Sequence, residues 1–211
     1  MITSNKQKII KTVQLALLLA LVVVLQLVGS TIKIGPLPMS FVLVPIVIGS
    51  ILLGAKAGAL LGFTFGLITM IMGIMGVDTF SFLLWTANPI WFVVICILKA
   101  TMAGFLPALI YKGLNKVFGG KKTMLSTVLA SISAPIINTG IFVAGMLLFF
   151  FDTMSGLPSM FPDAFGAYNN AFSLVILGLA GLNFVGEFVV NLVLSPAMVR
   201  IIAVVGKKIK M

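Results

Sequence analysis

From Val13 to Gly29 the chain carries no ionisable side chain. Five further apolar stretches follow: Ser40 to Gly54, Ala57 to Gly76, Ile90 to Tyr111, Met124 to Phe151 and Ala171 to Val205. This pattern constrains the fold more than any motif does. A helix needs roughly 20 apolar residues to cross the hydrocarbon core of a bilayer, where its backbone polar groups must be satisfied within the segment. Crossings of that kind take up nearly all of the 211 residues. The composition agrees, with 61% hydrophobic and 9% charged residues, against about 45–50% and 25% in soluble domains. The sequence predicts an all-α membrane protein of six transmembrane helices, forming a single domain over residues 1–211.

Two of the stretches are unusual in length. Ser40 to Gly54 is short for a full crossing, so a tilt or a start inside the protein is expected. Ala171 to Val205 is long, which suggests a bend or an interfacial portion. Val13 to Gly29 follows Lys6, Lys8 and Lys11, as a signal peptide would. Its apolar core exceeds the 7–15 residues of such peptides and lacks a small-residue cleavage pattern, so it reads as a retained helix. The Gly and Pro residues of Thr31 to Pro38 mark a loop. Val77 to Pro89 and Asp152 to Asn169 read as polar connectors.

The net charge of +10, from 14 Lys and Arg against 4 Asp and Glu, would suggest nucleic acid on a soluble protein. Its distribution argues otherwise. With six spans both termini share one side, and that side holds Lys6, Lys8, Lys11, Lys56, Lys112, Lys116, Lys121, Lys122, Arg200, Lys207, Lys208 and Lys210. The other side holds Lys33 with Asp78, Asp152 and Asp163. The excess of Lys and Arg on cytoplasmic loops predicts that both termini are cytoplasmic. The charge marks topology, and no nucleic acid partner is expected.

The chain has no histidine and a single cysteine, Cys96. It therefore lacks the commonest general base and metal ligand, and it has no disulfide framework. The segment Gly119-Gly120-Lys121-Lys122-Thr123 lacks the spacing of a phosphate-binding loop, so no ATP hydrolysis is expected from this chain. No 3+3 inverted repeat is visible.

Lys99 and Glu187 stand inside apolar stretches, where a charge costs at least ~2.5–3 kcal/mol and normally faces a cavity or a partner. One reading is a mutual pair that only positions helices. The other is a polar pocket in which Lys99 meets an anionic or polar solute. Asn183 and Asn191 each lie four residues from Glu187, on one helical face, and Asn138 lies within the fifth stretch. One carboxylate among amides suits an organic solute better than a metal ion. Trp85, Asn88 and Trp91, with Tyr168, Asn169 and Asn170, read either as interfacial anchors or as a lid over an outward-facing pocket. Gly54, Gly58, Gly62 and Gly66 are spaced by four, a close-packing face. Ala16 and Ala20 repeat that spacing once. Such faces serve packing within the bundle or docking of another membrane protein.

The ordered set of these residues resembles the substrate-binding S components of energy-coupling factor (ECF) transporters. The resemblance runs from the basic N-terminus and Ala16-x-x-x-Ala20, through Val44-Pro45-Ile46-Val47-Ile48-Gly49 and Leu53-Gly54-Ala55-Lys56-Ala57-Gly58. It continues with Lys99, Asn138-Thr139 and Asn183-Phe184-x-x-Glu187. It implies a six-helix subunit of a prokaryotic plasma membrane that captures a vitamin or precursor and joins a transmembrane scaffold subunit and two cytosolic ATPases. It assigns Ala16 and Ala20 to the scaffold contact. Substrate contacts would come from Lys99, Asn138, Asn183, Glu187 and Asn191, with Trp85 and Asn88 from the outer connector. No bound cofactor is implied. The segments GSILLGAKAGALLGF and GLNFVGEFVVN look most like the pantothenate-type branch; riboflavin, folate, thiamine and biotin stay open. A proton-coupled secondary carrier using Lys99 and Glu187, and an assembly protein without a solute, are the readings from other classes.

Overall fold

A computed structural model describes residues 2–29, 33–34, 37–38 and 41–210. Helix α1 (Ile2–Gly29) begins well before the apolar stretch, because Lys6, Lys8 and Lys11 continue the same helix; lysine is a good helix former. The loop expected at Thr31 to Pro38 lies partly outside the described residues. Its described part contains a two-residue antiparallel pairing, β1 (Lys33–Ile34) with β2 (Leu37–Pro38), in the register Lys33 to Pro38 and Ile34 to Leu37.

Helix α2 (Leu43–Leu53) has 11 residues. At 1.5 Å per residue it is about 16 Å long, half of the bilayer core. Val42, Leu43, Ile46 and Val47 are fully buried, so α2 sits inside the bundle. Gly54, with φ of 99°, ends it and admits helix α3 (Ala55–Ile74) without an intervening loop. That positive φ is strained for any side chain with a Cβ. The turn is therefore at Gly54, and Lys56 already belongs to α3.

The expected connector at Val77 to Pro89 is largely helix α4 (Thr79–Ala87). Helix α5 (Pro89–Val117) and helix α6 (Thr123–Phe149) follow. The polar stretch after α6 contains two short helices, α7 (Phe151–Met160) and α8 (Pro162–Phe165). The last helical run comprises α9 (Ala171–Ser173), a π-helical segment (Leu174–Gly181) and α10 (Leu182–Lys210). Its extra length is taken up partly by that π segment, in which Gly178 leaves room for the Tyr168 ring.

Among the described residues, five helical runs are long and apolar enough to cross a membrane: Asn5–Gly29, Ala55–Ile74, Pro89–Val117, Thr123–Phe149 and Ala171–Val205. The shorter α2 stands apart from them. Large apolar side chains lie exposed along these runs, Leu17, Leu109, Leu148 and Val193 among them. That is the surface expected of helices whose solvent is lipid.

The tightest contact joins α3 to α5. A Cβ at Gly58 would collide with the Gly104 carbonyl oxygen, one at Gly62 with that of Ala100, and one at Gly66 with that of Cys96. The four-residue glycine spacing thus serves packing inside the bundle, letting two backbones approach as small-residue faces do. Gly62→Val should lower the thermal unfolding temperature of the purified protein in detergent. The expected cost is ~1–3 kcal/mol or more, since here the obstacle is backbone. An unshifted unfolding curve would show that the seam can open freely.

α5 and α6 are antiparallel neighbours. Trp91, in the first turn of α5, stacks on Phe149, in the last turn of α6, with ring centroids 3.5 Å apart and planes 13° from parallel. The two short helices α4 and α7 adjoin this end, where Phe80, Leu84, Phe92, Phe150, Met154 and Leu157 share one apolar cluster. A second cluster, around Val22, Leu43, Ile46, Leu61 and Phe65, ties α1, α2 and α3 together. The cavity described next draws its lining from both clusters.

Candidate solute-binding site

The caps of two helices set the wall of the cavity. Asp78 precedes α4, and its Oδ2 accepts from the Ser81 backbone N–H at 2.9 Å. Asn88 stands between α4 and α5, where its Oδ1 accepts from the Trp91 N–H at 3.3 Å, and Pro89 occupies the first turn. These are ordinary N-cap arrangements. They fix the start of α5 and hence the face it turns inward, which carries Phe92, Ile95, Cys96 and Lys99 at helical spacing.

Facing this stripe, α6 contributes Asn138, Thr139, Phe142 and Met146, and the last helical run contributes Ala180, Asn183 and Glu187. Phe65 and Thr69 of α3, Asp78 with Phe80, Ser81 and Leu84 of α4, and Gln26 of α1 complete the lining. The empty space between these side chains, open solvent included, is about 850 Å³. Its walls are mainly apolar with a few convergent polar groups, the combination found in known small-molecule sites.

Two charged groups within the helices face this space with different partners. The Lys99 Nζ lies 5.2 Å from the centroid of the Phe142 ring, a cation–π contact. Glu187, 1% exposed, accepts from Asn138 Nδ2 at 3.4 Å and from Asn183 Nδ2 at 3.5 Å. Among the described residues no ion pair joins Lys99 to Glu187, although both line the same cavity. Gln26 Nε2 donates to Thr69 Oγ1 at 3.1 Å, and Thr69 donates onward to the Phe65 carbonyl at 3.0 Å. Among the described residues no group of three or more His, Cys, Asp or Glu is placed to hold a metal ion.

Of the residues singled out from the sequence, Lys99, Asn138, Asn183 and Glu187 come together at this cavity. Asn191 does not line it: fully buried one turn further along α10, its Nδ2 donates to the Glu187 carbonyl at 2.9 Å. Trp85 packs edge-on against Phe92, with centroids 6.2 Å apart, and Asn88 is occupied as a cap; neither lines the cavity. Ala16 and Ala20 are exposed on α1, on a face shared with Val13, Leu17 and Val24. Gln26, Thr69 and Ser81 were not singled out. The sequence signal for Gln26 was an amide within a long apolar run.

The arrangement is that of a polytopic membrane protein whose helices line a cavity with one lysine, a buried carboxylate and amides in its wall. Residues 11–199 match the family described as ECF transporter, substrate-specific component, and the chain belongs to that family. It is also similar to the pantothenic acid transporter PanT of Lactococcus lactis subsp. cremoris (strain MG1363), with 29% identity over 183 residues. That match covers 82% of this chain and 90% of that one. The family makes this chain a transport component and not an enzyme, a multi-pass membrane protein that works with a substrate and with further ECF subunits.

Proposed function

We propose that this chain is the substrate-capture subunit of an ECF-type ABC importer and that its solute is pantothenate. The observation that carries the reading is the position of Lys99. Its ammonium lies in the cavity wall against an aromatic face, with no ion pair to a carboxylate among the described residues, in a lining it shares with the Asn138 and Asn183 amides. Pantothenate carries one carboxylate for Lys99, and two hydroxyls and an amide for side-chain hydrogen bonds. Its dimethyl carbon suits the phenylalanine faces of Phe65, Phe92 and Phe142. The likeness to a transporter named for pantothenic acid supports the same solute.

On this reading the whole chain, residues 1–211, forms one six-helix unit in a prokaryotic plasma membrane, with α2 as the sixth helix. Both termini face the cytoplasm, as the Lys and Arg distribution favours. A transmembrane scaffold subunit and two cytosolic ATPases supply the energy, and the exposed Ala16 and Ala20 face of α1 meets the scaffold.

The test is calorimetric titration of the purified chain in lipid nanodiscs with pantothenate, alongside mass spectrometry of whatever small molecule co-purifies. Saturable heat with pantothenate supports the reading. Binding of riboflavin, folate, thiamine or biotin in its place would reassign the solute. Gradient-driven uptake by the reconstituted chain alone, without ATPases, would replace the capture subunit with a proton-coupled secondary carrier.

A further inference from the structure

Glu187 is nearly inaccessible, yet it sits at the cavity between two amides that line it. A carboxylate only accepts hydrogen bonds. Both amides present Nδ2 to it, at 3.4 Å from Asn138 and 3.5 Å from Asn183, as an ionised carboxylate requires. An asparagine amide is otherwise free to turn either way, since its two ends differ little in shape and are opposite in hydrogen-bonding sense. With both nitrogens committed, the unengaged ends are both oxygens. The Oδ1 atoms of Asn138 and Asn183 are buried and have no hydrogen-bond partner. Buried acceptors left unpaired carry a penalty that an arriving donor relieves.

We propose that Glu187 is a positioning residue: it locks the Asn138 and Asn183 amides with their oxygens free, so that this end of the site selects a solute carrying hydroxyl or N–H donors. The inference rests on the proposed function and deepens it. It gives the cavity a polarity, with the solute's carboxylate at Lys99 and its donor-bearing end at the two asparagines. It also changes the part played by Glu187, which shapes selectivity through the amides without touching the solute. Asn191 holds the backbone at this point through its bond to the Glu187 carbonyl. Its own unpaired Oδ1 lies outside the cavity and takes no part.

The experiment compares pantothenate with an analogue in which one hydroxyl is replaced by hydrogen, titrated calorimetrically into the full chain in nanodiscs. The wild type should bind the deoxy analogue about tenfold more weakly, the order expected for one lost hydrogen bond to a site left unpaired. Asn138→Leu and Asn183→Leu remove one acceptor each, and in at least one of them the ratio should fall below about threefold. Glu187→Gln keeps the shape but offers both a donor and an acceptor, so an amide is released to turn. The ratio should fall there too, while Lys99→Ala still lowers pantothenate affinity by the same factor in that background.

A merely structural role for Glu187 would weaken both ligands alike and leave the ratio at its wild-type value, and that result would overturn the inference. If Glu187→Gln does not yield folded protein, the two leucine variants decide: an unchanged ratio in both overturns it equally. An absence of pantothenate binding to the wild type would instead overturn the proposed solute, and the inference with it.

Discussion

Lys99→Ala should weaken pantothenate binding by about 30- to 1,000-fold while leaving the protein expressed and folded. Truncating one member of a desolvated charge pair costs ~2–4 kcal/mol, because the solute's carboxylate is left unpaired in the cavity. Stability should change little, since the structure gives Lys99 a ring contact with Phe142 and no ion pair among the described residues. An isolated contact of that kind contributes ~0.5–1 kcal/mol. Calorimetry with pantothenate, and again with its uncharged alcohol analogue, isolates the charge: the alcohol should bind wild type and variant with similar affinity. Equal loss for acid and alcohol would mean that Lys99 shapes the cavity without pairing with the carboxylate. Unchanged affinity for the acid would remove Lys99 from the site.

The parts of this site legible in the sequence are those where polarity violates its surroundings. Lys99 and Glu187 interrupt apolar helices, and the cost of a charge in lipid obliges each to face an interior space. Asn183 could be grouped with Glu187 by helical spacing, and Asn138 stood out as an amide within an apolar stretch. Gln26 and Thr69 violate the pattern more weakly. A threonine in a helix can satisfy itself on its own backbone, as Thr69 does on the Phe65 carbonyl, so its presence in an apolar run signals little. Trp85 and Asn88 have the chemistry of binding residues and serve local structure instead. The Asn88-Pro89 step already contains a cap followed by proline, and that competing demand decides where Asn88 points.

The fold divides the same way. Glycines spaced by four marked a close contact, but only the packed structure supplies α5 as its partner, and Gly54 differs from the others because it turns the chain with a positive φ. The connectors were harder. Asp78 followed three residues later by Ser81 is a helix start, yet over so short a segment the polar residues that cap α4 are the same ones that make it look like a loop. The short α2 shows the limit of counting apolar residues: six of its 11 helical residues are buried by neighbours and the others half-buried, so hydrophobicity there reports protein packing as much as lipid.

Replacing Ala16 and Ala20 together by leucine should abolish uptake in cells that express the complete transporter, while leaving pantothenate binding to the isolated chain within about twofold. Both alanines are exposed in the isolated subunit, so added bulk projects into lipid and disturbs no packing within the bundle. Surface changes of this kind normally shift stability by less than ~0.5 kcal/mol. In an assembled complex the same bulk would sit between two helices. Small residues at this spacing let helix backbones approach closely, and in lipid that approach supplies much of the association energy. Loss of transport with binding preserved therefore separates docking from capture. Co-purification with an affinity-tagged scaffold subunit gives the direct readout, and the double variant should be absent from the eluate. Retained co-purification and uptake would move the docking surface to another face of the bundle. Loss of solute binding would mean that α1 communicates with the cavity, and the route would be Gln26, which α1 contributes to the lining and which bonds to Thr69.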